Sequence, residues 1–499
     1  MLIRADASQE IGTGHVMRCL ALAQAWKDAG GCAIFAMAGE MPDIERRLKG
    51  DGFAVSRISA KPGSEKDAAL TADLAISLNV CFVVVDGYHF GVEYQDRLKK
   101  EDLHLLFIDD YGHAKSYSAD LVLNQNIYAR KELYRERDPR TELLLGSLFV
   151  LLRNEFKEWC GWQRNNPEIA AKILVSLGGS DPENVTLKIL EALQGLTARK
   201  VEMKVVAGGG NSHISALEAA SKESPSSIRL VRNAANMPEL MAWADMAIIS
   251  GGTTSYETAF MGLPSLITII ADNQVRVAEK LAEKGVALNL GWHHELTDAC
   301  IKKTVLEMMH NQVARAAMSR IGMQLVDGRG TTRVIGAMLE RIILVQKAVE
   351  SDCRQIYEWA NDADTRAASF NKDHIEWDTH CNWLSERLRN PDCLLLICRD
   401  DKGNSLGLVR FDLAGDETIM SINLDPNMRG QGLAVFIIIR TVAELFRRCN
   451  ISRVSAFIKP QNLRSAKAFA RAGFSMKGSC NMRGNEALHY LMINADLVS

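Results

Sequence analysis

Short apolar runs alternate with helically spaced segments through the first two thirds of the chain. Residues 2–5 (LIRA), 33–36, 81–85 (CFVVV) and 105–108 read as strands, the last two ending at Asp86 and at Asp109-Asp110. After the first run, Val16, Leu20, Ala23 and Trp26 recur at helical spacing, and Gly30-Gly31 supplies a stop. Residues 41–50 also read as a helix. Apolar strands alternating with helices predict a parallel sheet covered on both faces. Such sheets bind ligands beyond their strand C-termini, where these acidic residues fall. A polar connection over 155–168 precedes a restart. Residues 173–177, 201–207, 246–249 and 266–270 read as strands of a second doubly wound domain. After residue 345 the texture changes. Residues 394–398, 406–411 and 420–424 read as strands joined by turns at Asp400-Asp401-Lys402-Gly403 and Gly415-Asp416. A helix over 432–448, a strand over 453–458 and a helix over 462–472 follow. The expectation is α/β, with Rossmann-like domains over 1–155 and 170–344 and an α+β domain over 345–499.

Composition narrows the function classes. The 499 residues suit about three domains. Hydrophobic residues at 47% and charged residues at 24% exclude disorder, collagen and a disulfide mini-scaffold. With 59 basic and 61 acidic residues the net charge is −2, so nucleic acid is not an expected partner. No apolar run approaches the roughly 18–20 residues of a bilayer span, so no membrane partner is expected. Arg4 and Asp6 interrupt any export-signal core, which points to a cytoplasmic protein. The 11 cysteines are scattered without a CxxC pair and read as reduced, small core residues. No metal is expected: the histidines lack ligand spacing, and His293-His294 reads as a solvated loop.

Two sets of loops carry candidate chemistry in the first 345 residues. IGTGHVMR (11–18) places Gly12 and Gly14 where the backbone can approach a ligand, just before a helix whose free N–H groups favour an anion. His15 falls in the first helical turn, where the helix dipole favours the neutral imidazole, a base. Alone, such a histidine is more often structural or capping. SLGGSDPEN (176–184) and SGGTTSYE (250–257) each follow a strand and precede a helix. On neighbouring sheet edges they would form a concave set of backbone donors suited to a diphosphate. Glu257 is placed to accept hydrogen bonds from ribose hydroxyls. A single loop of this kind is an ordinary tight turn; two in one domain favour a nucleotide.

LIRADASQEIGTGHVMRCLALA resembles the opening of the UDP-sugar hydrolases of pseudaminic acid biosynthesis, relatives of the GT-B glycosyltransferases, and the two glycine loops are similar to that family's second domain. The resemblance spans about residues 1–340. It implies a UDP-sugar substrate, UDP-2,4-diacetamido-2,4,6-trideoxy-β-L-altropyranose, cleaved to the free sugar and UDP with inversion, within a nonulosonic acid pathway that feeds flagellin glycosylation. The family's catalytic histidine maps to His15. Its uracil and ribose contacts map around Ser250, Gly251 and Glu257, and Asn273-Gln274 lies where such folds meet the sugar or diphosphate. Backbone N–H groups around Gly12, Gly14, Gly178 and Gly179 would hold the diphosphate, and His15 would orient or deprotonate water. Asp6, Asp86, Tyr88 and Asp109 are candidates to line the sugar pocket, although each alone is more often a turn or capping residue.

In the last domain, RGQGLA (429–434) and NLRSAKAFARAGF (462–474) resemble the pyrophosphate loop and the CoA-contacting helix of GNAT acetyltransferases. The resemblance implies acetyl-CoA as acetyl donor, held by Arg429, Gly430, Gly432 and Ala434, with Asn462 and Ser465 as further contacts. The fusion suggests the 4-amino group of the UDP-sugar precursor as acceptor. One departure matters. Many members carry tyrosine, which protonates the leaving thiolate, where this chain has Phe469. His489 and Tyr490 are nearby but unassigned, and no base is evident. Two rival readings stay open: a UDP-sugar glycosyltransferase, and a sugar-nucleotide- or CoA-binding scaffold with degenerate sites.

Overall fold

Seven short strands form the first sheet: β1 (Leu2–Ala5), β2 (Ile34–Met37), β3 (Ala54–Arg57), β4 (Val83–Asp86), β5 (Leu105–Ile108), β6 (Leu121–Asn124) and β7 (Glu142–Leu145). They are all parallel in the order β3-β2-β1-β4-β5-β6-β7. β1, β4, β5 and β6 are buried along their full length, which is why they carry unbroken apolar runs. Val83, Val85, Leu105 and Phe107 pack with Phe90 and Tyr94 on one face. The computed structural model describes residues 1–8, 11–179, 181–194, 201–223, 227–415, 417–482 and 484–494. Ser180 of the first glycine loop and Asp416 of the expected turn lie outside these.

The second sheet repeats the winding. Its strands are β8 (Lys172–Ser176), β9 (Glu202–Ala207), β10 (Ser227–Arg232), β11 (Met246–Ser250), β12 (Ser265–Ile269) and β13 (Ala287–Trp292). They too are parallel, in the order β10-β9-β8-β11-β12-β13. Alternate residues serve opposite cores. Ile173, Val175 and Ile248 join Leu190 and Ile301 on one face, while Leu174, Ala247 and Ile249 join Ala278 and Leu281 on the other. Each fully buried aliphatic side chain contributes about 1.5–3 kcal/mol, so both faces hold the sheet.

The third sheet is mixed: β14 (Leu344–Lys347), β15 (Cys393–Arg399), β16 (Ser405–Ala414), β17 (Glu417–Leu424), β18 (Arg453–Ile458), β19 (Ser475–Met482) and β20 (Asn485–Ile493). The order is β14-β15-β16-β17-β18-β20-β19, antiparallel throughout except for β17 and β18. These two are parallel and pair over just three residues, Glu417–Ile419 with Arg453–Ser455. Beyond Ile419 and Ser455 they part. By contacts the chain forms two compact units, residues 1–25 with 33–334 and residues 26–32 with 335–499. The first two sheets therefore share one unit.

Two sequence expectations are corrected. His293 is not solvated: it is 7% exposed, with its ring edge-on to His294 and its Nε2 3.5 Å from Glu183. The cysteines are not all core residues either. Cys19 and Cys398 are buried, but Cys32, Cys81, Cys160 and Cys300 are exposed. Among the described residues, no helix is long and apolar enough to cross a membrane, and no cluster of three or more His, Cys, Asp or Glu side chains is arranged for a metal.

Candidate active sites

The strand order of the first sheet reverses between β1 and β4, and a crevice at such a switch point is where open α/β sheets bind ligands. The loop after β1 carries Gly12, at φ 74°, and leads into the helix Gly14–Asp28. His15 lies in its first turn, nearly buried. Its Nδ1 is 2.7 Å from Oδ1 of Asp86, the last residue of β4. A carboxylate only accepts, so this contact puts a proton on Nδ1, which also lies 3.2 Å from Arg18 Nη2. Arg18, one turn along the helix, donates two bonds to Asp86 (2.6 and 2.7 Å) and one to Asp110 (2.7 Å). Burial alone would raise the pKa of Asp86 and of Asp110, but Arg18 and His15 hold both below the usual carboxylate range. Asp110 also accepts from Tyr88 (2.7 Å) and Asn126 (2.8 Å). The Tyr88 ring stands edge-on to His15 at 4.8 Å. The result is a nearly buried histidine whose ring is held in orientation by a buried, ionised aspartate.

The second sheet switches between β8 and β11, so its two glycine loops leave adjacent central strands, not sheet edges. Gly178 takes φ 98°, and a Cβ there would meet nothing nearer than Ser250 Oγ at 3.8 Å. Asp181 accepts from the Val185 and Thr186 N–H groups (2.9 Å each) and so caps the helix that follows. The two lobes meet at the first loop. A Cβ on Gly179 would come within 2.6 Å of Thr13 Oγ1, in the His15 loop. Asn273 donates to Tyr88 across the same seam (3.1 Å), which sets the second lobe against the aromatic wall of the His15 site.

Several residues singled out in the sequence are engaged by the protein itself. Gln274 Oε1 is engaged within the lobe, accepting from Gly251 N–H (3.1 Å) and Ile270 N–H (3.2 Å), which also occupies the Gly251 donor. Glu257 is buried and paired with Arg153 at 2.9 Å. Burial raises its pKa and Arg153 opposes that rise. Asp6 accepts from Ala38 N–H (2.7 Å) and pairs with Arg4 at 2.7 Å, so it braces the loop from beneath. Against the penalty of burial, His89 and Arg4 bring its pKa down to about 2. Asp109 holds its own turn, accepting from the N–H groups of Tyr111 (2.7 Å), Gly112 (2.6 Å) and His113 (3.2 Å). Arg18 and Asn126 carry no sequence assignment, and Asp110 is marked in the sequence only as an acidic residue past a strand end. Arg18 falls three residues after His15, on the same helix face, the one local signal available.

In the other unit, Gly430 and Gly432 take φ 78° and 79°, and Gly432 caps the helix Leu433–Arg448, whose first turn contains Ala434. A Cβ on Gly430 would meet nothing within 4 Å, so the loop backbone is open to a ligand. The Arg429 side chain, by contrast, anchors the loop: it pairs with Asp362 at 2.5 Å and donates to Thr365 Oγ1 at 2.9 Å. Asn462 caps the helix Leu463–Arg471, its Oδ1 accepting from Ser465 N–H at 3.2 Å. Phe469 is 3% exposed, edge-on to Phe474.

Comparisons with known proteins agree with this division. Residues 341–475 match the acetyltransferase (GNAT) domain model, and residues 173–328 match the glycosyltransferase family 28 C-terminal domain. An uncharacterized protein of Methanocaldococcus jannaschii is 22% identical over 94% of this chain and 95% of its own length. The spore coat polysaccharide biosynthesis protein SpsG of Bacillus subtilis is 28% identical over 66% of this chain and 95% of its own. The UDP-2,4-diacetamido-2,4,6-trideoxy-β-L-altropyranose hydrolase of Campylobacter jejuni is 24% identical over 57% of this chain and 97% of its own. A solved spermidine N-acetyltransferase from Vibrio cholerae, in complex with CoA and spermine, covers 32% of this chain at 16% identity and a TM-score of 0.29.

Proposed function

Because the chain fuses a region related to a UDP-sugar hydrolase with a GNAT acetyltransferase domain, we propose that it hydrolyses a UDP-sugar in one unit and N-acetylates an amino sugar in the other. The hydrolase substrate is UDP-2,4-diacetamido-2,4,6-trideoxy-β-L-altropyranose, as for the Campylobacter relative. The acetyl acceptor is the 4-amino group of its UDP-linked precursor, and the donor is acetyl-CoA bound at the Gly430-Gln431-Gly432 loop. The reaction belongs to the biosynthesis of pseudaminic acid.

The His15–Asp86 pair carries the hydrolase reading. Water attacks the anomeric carbon, its proton passes to His15 Nε2, and the bond from that carbon to the UDP oxygen breaks. UDP is a good leaving group, so a placed base and donors to the diphosphate are sufficient. Backbone N–H groups around Gly12, Gly14, Gly178 and Gly179 would supply the donors. The match to a glycosyltransferase C-terminal domain favours one rival, in which an acceptor sugar replaces water.

The test gives the full chain the UDP-4-amino sugar with and without acetyl-CoA and follows UDP and the acetylated product by mass spectrometry. UDP release without any acceptor sugar is the expected result; release that requires one supports the glycosyltransferase instead. His15→Ala should abolish UDP release and spare acetylation. Near-full hydrolysis by that variant would remove His15 from the mechanism.

A further inference from the structure

We propose that His489 is the proton carrier of the acetyl transfer, held in its working tautomer by Ser455 and Glu417; the assignment rests on the acetyltransferase reading above. Transfer to an amine needs two proton movements. The attacking nitrogen must lose a proton, and the CoA sulfur must gain one. Phe469 has no proton to give, and it is sealed against Phe474.

The alternative lies where β17, β18 and β20 run side by side. His489 Nε2 is 2.8 Å from Ser455 Oγ, and the Ser455 hydroxyl donates to Glu417 Oε1. The polarity of this chain is set at its carboxylate end. Glu417 only accepts, so the serine proton points toward it, and the serine oxygen is left to accept from Nε2–H. His489 therefore keeps its lone pair on Nδ1, as a histidine does when a carboxylate relay fixes its other nitrogen. The ring is pinned by stacking on Phe457, with centroids 4.9 Å apart and planes 17° apart.

The position also fits. Ser455 is fully buried and is the last β18 residue paired with β17; beyond it the strands part. Glu417, Ser455 and Phe457 stand on one face of the sheet by the alternation of strand side chains, and His489, opposite Phe457, shares that face. Glu417 and His489 are both half-buried, so the chain of bonds runs from a buried hydroxyl to a partly exposed histidine.

In the proposed step the amine nitrogen attacks the thioester carbonyl and the C–S bond breaks. The nitrogen gives its proton to Nδ1 of His489, and the imidazolium returns it to the CoA thiolate. Amine and acetyl-CoA become amide and CoA, with no net proton taken up.

The experiment uses the full chain, acetyl-CoA and the UDP-4-amino sugar, with CoA thiol release as readout. His489→Gln should lower kcat by about 10²–10⁴-fold, the usual worth of a positioned acid–base group, with KM for acetyl-CoA within about twofold of wild type. Ser455→Ala and Glu417→Gln, as positioning changes, should lower kcat less and leave KM unchanged. UDP release serves as the control for an intact chain. If His489→Gln transfers acetyl at the wild-type rate, the proposal is overturned while the acetyltransferase reading stands. If instead His489→Gln fails to fold, Glu417→Gln decides: an unchanged kcat makes the three residues a structural stitch between strands and overturns the relay. If wild type transfers no acetyl, both readings fall.

Discussion

Asp86 is the hub of the first site because it meets His15, Arg18 and the Cys19 thiol at once. Asp86→Asn keeps the shape but presents an amide to the Arg18 guanidinium and no longer dictates the His15 tautomer. UDP release should fall by about 10²–10⁴-fold. Stability should fall by about 3 kcal/mol, because one of Arg18's buried counter-charges is gone; urea unfolding measures it. The same carboxylates set the acid limit. Asp6, Asp86, Asp109 and Asp110 all have depressed pKa values in the fold. Their stabilisation is complete above about pH 4, the ordinary value for a free aspartate, and is lost as pH falls through the folded values, which for Asp6 is about 2. Thermal melting from pH 7 to pH 2 should show Tm level to about pH 4 and dropping below it, with a smaller drop in Asp6→Asn. A Tm level to pH 2 would refute this. At this scale the sequence made His15 legible, since glycines and a helix start mark its loop. It could not separate Asp86 from Asp6 or Asp109. All three stand at strand ends, and which one meets His15 depends on a partner 71 residues away.

Helix ends show how elements are secured where burial would strand polar groups. Arg315, in the helix Gln312–Leu325, is fully buried. It donates to the carbonyls of Met308 and Met309 (2.6 Å each), at the end of the helix Asp298–His310, and to those of Pro167 and Glu168. Arg315→Met should destabilise the chain by about 3 kcal/mol in urea, since it leaves buried carbonyls without donors. Asn462→Ala removes a milder cap and should cost about 1 kcal/mol. Elements were legible from sequence where burial is uniform. The central strands β4, β5, β8 and β11 announce themselves as apolar runs. Edge strands β3 (AVSR) and β10 (SIRLVR) mix partly buried and exposed positions and carry arginines, so no run marks them. The sheet register, which alone brings Ser455 beside His489, leaves no trace in local spacing.

Across the whole molecule, two compact units predict separable behaviour. Calorimetry of the intact chain should resolve two transitions, with UDP raising one and CoA the other, each by about 2.7 kcal/mol of stabilisation at one hundred times its Kd. A single transition moved equally by both ligands would contradict this. The change from doubly wound to mixed topology was readable, because strand texture shifts from continuous to hairpin-linked. How the first two sheets face each other was not, since it depends on close backbone passage. Gly179 is one point where the passage is close: a Cβ there would come within 2.6 Å of Thr13 Oγ1. A methyl group at this position would crowd Thr13, so in a Gly179→Ala chain the Thr13 side chain must turn aside or the two loops must part by a few tenths of an ångström.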